Sequence, residues 1–165
     1  MQYIILAFIV IIVLLYVLVK DNKTNNLSDD KQIPPKFTKQ GELIFLSKEN
    51  DTLKEIDIEL ADDNFKRQRG LMYREKMDEN QGMLFISLKE EVQSFWMKNT
   101  LLQLDIIFVN SKKEIVKIHK NAKPLDESIH YNSEKPAYYV VEVISGFCDK
   151  YKIQENDKIN FVLQK

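Results

Sequence analysis

Four charged residues sit among apolar neighbours: Arg69, Lys98, Asp105 and Glu142. A charge buried without a partner is too costly to persist. Two arrangements avoid that cost. In the first, Arg69 and Lys98 each pair with Asp105 or Glu142, and the two ion pairs fix the packing of helix on sheet. In the second, the four line a polar cavity that grips a small ligand. Trp96, the only tryptophan, would then be a stacking wall, with Met97 and Asn99 completing the stretch. Ligand sites combine apolar walls with a few placed polar groups. The candidate binding set is therefore Arg69, Trp96, Met97, Lys98, Asn99, Asp105 and Glu142. The positive charge of Lys98 favours a polar ligand bearing a carboxylate or phosphate.

Other chemistries are weaker. Asp105 and Glu142 could act as the carboxylate pair of a carbohydrate-active hydrolase. Met72, Met83 and Met97 offer thioethers of the kind copper(I) prefers, although methionine in apolar strands is mostly core filler. Cys148 follows Gly146-Phe147 at a possible helix start, where a thiol pKa can fall. No histidine lies near it in the chain. One cysteine excludes an internal disulfide and a Cys-rich zinc site, and His119 and His130 are the only histidines. No phosphate-binding glycine loop or Gly-x-Ser-x-Gly elbow occurs. No cofactor or metal is expected, and no complete catalytic set can be named. Charge is balanced, with 24 Lys+Arg against 25 Asp+Glu and no basic run. That is not the footprint of a nucleic-acid binder.

These residues need a scaffold, and the hydrophobic pattern predicts one over residues 41–165. Residues 42–47 read as a short strand. Residues 53–60 alternate, with Ile56, Ile58 and Leu60 against Glu55, Asp57 and Glu59, as a half-buried strand does. Asp62-Asp63 offers caps for a helix over 64–76 whose stripe of Phe65, Arg69 and Met72 points inward, with Gly70 mid-helix. Strands follow at 83–86 and, apolar on both faces, at 101–109. An acidic turn is expected at 88–93 and a hairpin loop at 110–113. A return strand runs over 114–119, and a long irregular loop over 121–135. Residues 137–144 form another two-sided strand, Gly146 starts a short helical turn, and 158–163 closes the sheet. The expected fold is mainly β, a compact antiparallel barrel or sandwich of seven to eight short strands with one main helix.

Ahead of this domain, residues 3–19 carry no charge. At ~1.5 Å per residue such a stretch just spans a bilayer core. Neither a basic leader nor a small-residue cleavage site accompanies it. Residues 1–20 are therefore read as an uncleaved transmembrane anchor. Residues 21–40, polar and ending near Pro34-Pro35, are read as a flexible linker. Lys20 and Lys23 follow the span, so the positive-inside rule would keep the domain in the cytoplasm.

Several segments together resemble the domain of unknown function 192 (DUF 192) family. They are Arg69-Gly70-Leu71-Met72-x-Arg74, Gly82-Met83-Leu84-Phe85, Phe95-Trp96-Met97-Lys98-Asn99-Thr100, Leu104-Asp105-Ile106, and Glu142 with Gly146. The chain departs at Gln103, where relatives often carry proline. It departs also in the 110–113 loop and at Asn156, where they often carry glycine. The resemblance implies a small β-rich domain behind an export signal or anchor, and no defined activity. It also implies that the domain lies outside the cytoplasm, periplasmic or on the cell surface, against the weak charge bias. The expected protein is a single-pass, membrane-anchored, non-catalytic binding or accessory module for a small polar ligand or envelope component. The alternative is a hydrolase using Asp105 and Glu142.

Overall fold

The computed structural model describes residues 35–164. The expected anchor and the first part of the expected linker lie outside them. Among the described residues no helix is long and apolar enough to cross a membrane.

Seven strands and two short helices follow in the order β1 (Gly41–Leu46), β2 (Thr52–Ala61), α1 (Asn64–Arg69), β3 (Gln81–Phe95), β4 (Leu104–Val109), β5 (Ile115–Ala122), β6 (Tyr131–Ile144), α2 (Phe147–Lys150) and β7 (Lys158–Leu163). They form one sheet in the order β5-β4-β6-β3-β2-β1-β7. Every pairing is antiparallel except β2 with β3. The sheet is thus mixed, where an antiparallel one was expected. A parallel pair needs a crossover, and α1 with the turn after it supplies one. The sheet curls into a half-barrel whose edge strands touch at one corner. There Glu114 bridges to Lys158, and the Ile159 N–H donates to the Lys113 carbonyl at 2.9 Å.

Both faces of the sheet are covered. Leu43, Phe45, Ile56, Ile58, Leu84, Ile107, Val141 and Val143 pack on one side with Phe147 and Cys148 of α2. Met83, Phe85, Leu104, Ile106, Phe108 and Val140 pack on the other, beneath Leu71, Met97 and Leu102. All six residues of β4 are buried, as a two-sided apolar run requires. Gly82 sits where the layers are tightest. A Cβ there would lie 2.9 Å from both the Glu142 carbonyl and Ile56 Cδ1.

Three local expectations change. The helix does not reach residue 76. Asp63 caps its start by accepting the Lys66 N–H at 2.8 Å, but Gly70 ends it in the left-handed region at φ 48°. Only glycine enters that region without steric cost, so Gly70 is a helix stop and not a mid-helix residue, and a Cβ there would also lie 3.2 Å from Phe85 Cζ. No residue of α1 is buried, and Phe65 is 68% exposed. The acidic 88–93 segment belongs to β3, whose pairing with β6 slips between Ile86 and Glu91. The slip absorbs extra residues on one strand, as a bulge does, and leaves the acidic side chains in solvent. The long loop is shorter than expected, since β6 begins at Tyr131 and carries Pro136 opposite Val92.

The end of the expected linker is tied to the sheet. The Thr38 N–H donates to Glu59 Oε1 at 2.9 Å, and the Gln40 N–H donates to the Ile58 carbonyl at 2.8 Å.

Candidate functional site

The register separates the two inner carboxylates. Asp105 stands opposite Val143, while Ile106 stands opposite Glu142. Directly paired residues share a face and neighbours along a strand alternate, so Asp105 and Glu142 point to opposite sides of the sheet. They cannot flank one substrate bond, as a glycosidase pair must.

Each has its own role. Asp105 is fully buried and holds two backbone groups. It accepts the Asn121 N–H at 2.9 Å and the Cys148 N–H at 3.0 Å. One carboxylate thus fastens the end of β5 and the start of α2 to β4. Glu142 is 5% exposed and has no hydrogen bond or ion pair among the described residues. Burial alone pushes its pKa up to about 8, so at neutral pH it is a protonated acid. Its Oε2 would lie 3.9 Å from a Cβ on Gly70.

Neither expected ion pair forms. Arg69 lies on the exposed side of α1, because the helix stops before its stripe can turn inward. Lys98 is near Glu127 instead, at 3.8 Å. The buried pair uses two residues outside the candidate set: Arg74 Nη2 meets Glu59 Oε2, with Arg74 only 3% exposed. Its Nε has no acceptor among the described residues. Burial raises the Glu59 carboxyl, opposed by the Thr38 N–H and by the Arg74 charge. Arg74 stands in the family-like stretch, but a helix to residue 76 would have carried it elsewhere. Gly70 itself is the signal for that stop, since a glycine closing a helical stretch marks a C-terminus, but the return of Arg74 onto β2 is not written in residue order.

Two minor chemistries also resolve. Cys148 is buried, and its thiol is pushed up by burial first and by Asp105 second. A helix start here does not make a thiolate. Met83 and Met97 pack in the apolar layer, as core methionines do. Among the described residues no group of three or more His, Cys, Asp or Glu could hold a metal ion.

The remaining candidates come together at the surface. Trp96 is 40% exposed. The Lys98 ammonium lies 5.0 Å from its ring centroid, and the His130 ring stacks beside it at 6.3 Å. Met97, between them in sequence, points the other way and is fully buried. Alternation at the end of β3 thus plants one residue in the core and presents its neighbours outward. Asn99 turns the chain at φ 53°, and its carbonyl accepts the Tyr73 N–H at 2.9 Å. The Thr100 carbonyl accepts the Leu125 N–H at 3.1 Å. Three loops therefore meet: 70–75, 96–101 and 123–130. Three non-glycine residues on them hold positive φ, namely Tyr73, Asn99 and Leu125. Asparagine tolerates that region, whereas bulky Tyr73 and Leu125 are strained there. Tyr73, Leu125 and His130 were missed by the sequence reading, since a left-handed Tyr or Leu has no signature in residue order.

A concavity of about 340 Å³ lies beside α2, lined by Met77, Glu79, Ile144, Phe147 and Lys150. Glu79 accepts from Lys150 at 2.5 Å and from the Tyr151 hydroxyl at 2.6 Å. It contains none of the candidate residues.

Comparison with known proteins agrees with the resemblance. A UPF0127 protein of Thermococcus sibiricus is 29% identical over 113 residues, covering 66% of this chain and 68% of that protein. A solved structure from Sinorhizobium meliloti, provisionally described as a transcription regulator, superposes with a TM-score of 0.71 at 31% identity. That match covers 77% of this chain and 98% of the other. A Novosphingobium aromaticivorans protein of unknown function superposes at 0.66 with 29% identity, over 72% of this chain and 83% of its own. Residues 45–161 match the DUF 192 family, whose description reads "Uncharacterized ACR", so the chain belongs to that family.

Proposed function

We propose that this protein is a membrane-anchored, extracytoplasmic binding module that performs no chemistry, and that its recognition surface is the three-loop cluster around Trp96 and Lys98. The observation that carries this reading is a half-exposed indole with a lysine ammonium 5.0 Å from its ring. That pairing presents a large apolar face next to a cation, the combination that orients a polar ligand bearing a negative group. The strained backbone around it supports the same reading, because such conformations persist where the surroundings hold a binding surface in shape. The competing hydrolase loses its basis once Asp105 and Glu142 lie on opposite faces. The regulatory description of the Sinorhizobium meliloti protein is not carried over, because a balanced charge of 24 against 25 gives no basic stripe for nucleic acid. The anchor reading rests on the uncharged residues 3–19.

Trp96 is the sole tryptophan, so its emission tests the surface directly. Adding fractions of cell-envelope extract to the detergent-solubilised full chain should shift or quench that emission. Lys98→Ala should abolish the response without changing the circular dichroism spectrum. An emission unmoved by every fraction, or a response that survives Lys98→Ala, would sink the proposal.

A further inference from the structure

We infer that the envelope component met by this surface is the phospholipid bilayer itself: the rim of Tyr73, Trp96, Leu101, Leu125 and Ile129 docks on the membrane, with Lys98 set at the level of the lipid phosphates. The inference rests on the reading of residues 3–19 as an anchor.

The first support is where apolar surface is left uncovered. Tyr73 is 38% exposed, Trp96 40%, Leu101 44%, Leu125 57% and Ile129 44%. Five of the ten large hydrophobic residues exposed among the described residues thus lie on these three loops. Scattered exposed apolar residues are ordinary, but a concentration marks an interaction surface.

The second is that the rim is built. Hydrogen bonds from Tyr73 to Asn99 and from Leu125 to Thr100 tie the loops to one another. The Trp96–His130 stack and the Lys98–Glu127 pair tie them again further out. Leu125 holds φ 58° while it remains 57% exposed.

The third is the residue chemistry. Tryptophan and tyrosine settle at the headgroup level of a bilayer, with an apolar body in lipid and a polar edge in water. Lysine lays its stem along them and keeps its charge in the headgroup layer. Leucine and isoleucine supply the area that enters the acyl boundary. Lys123 adds a second exposed ammonium beside Leu125, 3.8 Å from Asp126.

The fourth is where the chain arrives. The Thr38 N–H bonds to Glu59, and Glu59 pairs with Arg74, which adjoins Tyr73 of the rim. The described chain therefore enters the domain beside the rim, and eighteen residues, 20–37, separate Thr38 from the proposed span in the sequence.

The test reconstitutes the full chain in phosphatidylcholine–phosphatidylglycerol vesicles, some of whose lipids are brominated on the acyl chain near the headgroup. Bromine quenches indole only on close approach, and Trp96 is the only indole. The expected result is co-flotation with vesicles and at least a twofold loss of Trp96 emission. The double variant Leu125→Asn, Ile129→Ser should still float and should lose most of the quenching. If wild type floats and the bromines leave Trp96 bright, docking is overturned while the anchor stands. If it does not float, both fall. Quenching that persists undiminished in the double variant would overturn the rim. A Trp96 response in detergent to inorganic phosphate equal to that with lipid would also overturn docking, because the site would then read free phosphate.

Discussion

At the scale of the residue, Glu142 is the group whose behaviour departs most from that of an ordinary carboxylate. It sits in an apolar layer with Met83 and Ile106 as its cross-strand neighbours and no charge opposite it. Its pKa rises from 4.5 to about 8 through burial. Below pH 4.5 the acid is protonated both folded and unfolded, and it costs nothing. As pH rises from there to about 8 the unfolded chain releases the proton and the folded chain keeps it, so stability falls across that window. The full loss is on the order of 5 kcal/mol at 1.36 kcal/mol per pKa unit. Glu142→Gln cannot titrate. Urea unfolding at pH 5 and pH 8.5 should show the wild type losing more stability than the variant between the two. Parallel pH profiles would show that Glu142 is solvated or paired.

At the scale of the element, the turn after α1 is held by Arg74 reaching Glu59 on β2. Removing one member of a buried pair typically costs about 3–5 kcal/mol, because the other charge is left alone. Arg74→Met should therefore destabilise strongly, while Glu59→Leu combined with Arg74→Met should recover much of the loss. Additive losses in thermal unfolding would mean that the two do not interact. This element also marks where sequence reading reached its limit. The strands were legible because alternation at Ile56, Ile58 and Leu60 and the two-sided run of β4 follow directly from burial. Asp105 and Glu142 were legible as inner charges, since both stand in apolar strands. Their partners were not, because partnership depends on register. A shift of one residue sends a side chain to the other face. Arg69 and Arg74 exchanged places for a similar reason. The helix stops at Gly70, and the inward arginine comes from the turn. Two of the departures from the family resemblance fall on positive-φ backbone: Lys113, in the 110–113 loop, and Asn156 hold φ 67° and 76°.

At the scale of the whole molecule, the half-barrel is the base on which the three loops of the proposed recognition surface stand. Its core is closed on both faces, and the three loops after α1, β3 and β5 carry Tyr73 and Leu125 at positive φ and the exposed Trp96. Such a division between fixed scaffold and presented loops is where binding surfaces commonly arise. With the anchor in place, protease added to spheroplasts should remove the domain and leave the short anchor fragment in the membrane. Degradation only after the membrane is opened would put the domain in the cytoplasm. The loop cluster around Trp96 is the proposed contact surface, and hydrogen exchange on the full chain, in detergent and again in envelope-lipid vesicles, tests it. Exchange should slow in vesicles at residues 96–101 and 123–130 and stay unchanged at α2 and its neighbouring concavity. Slowing at α2 with no change in those loops would contradict it.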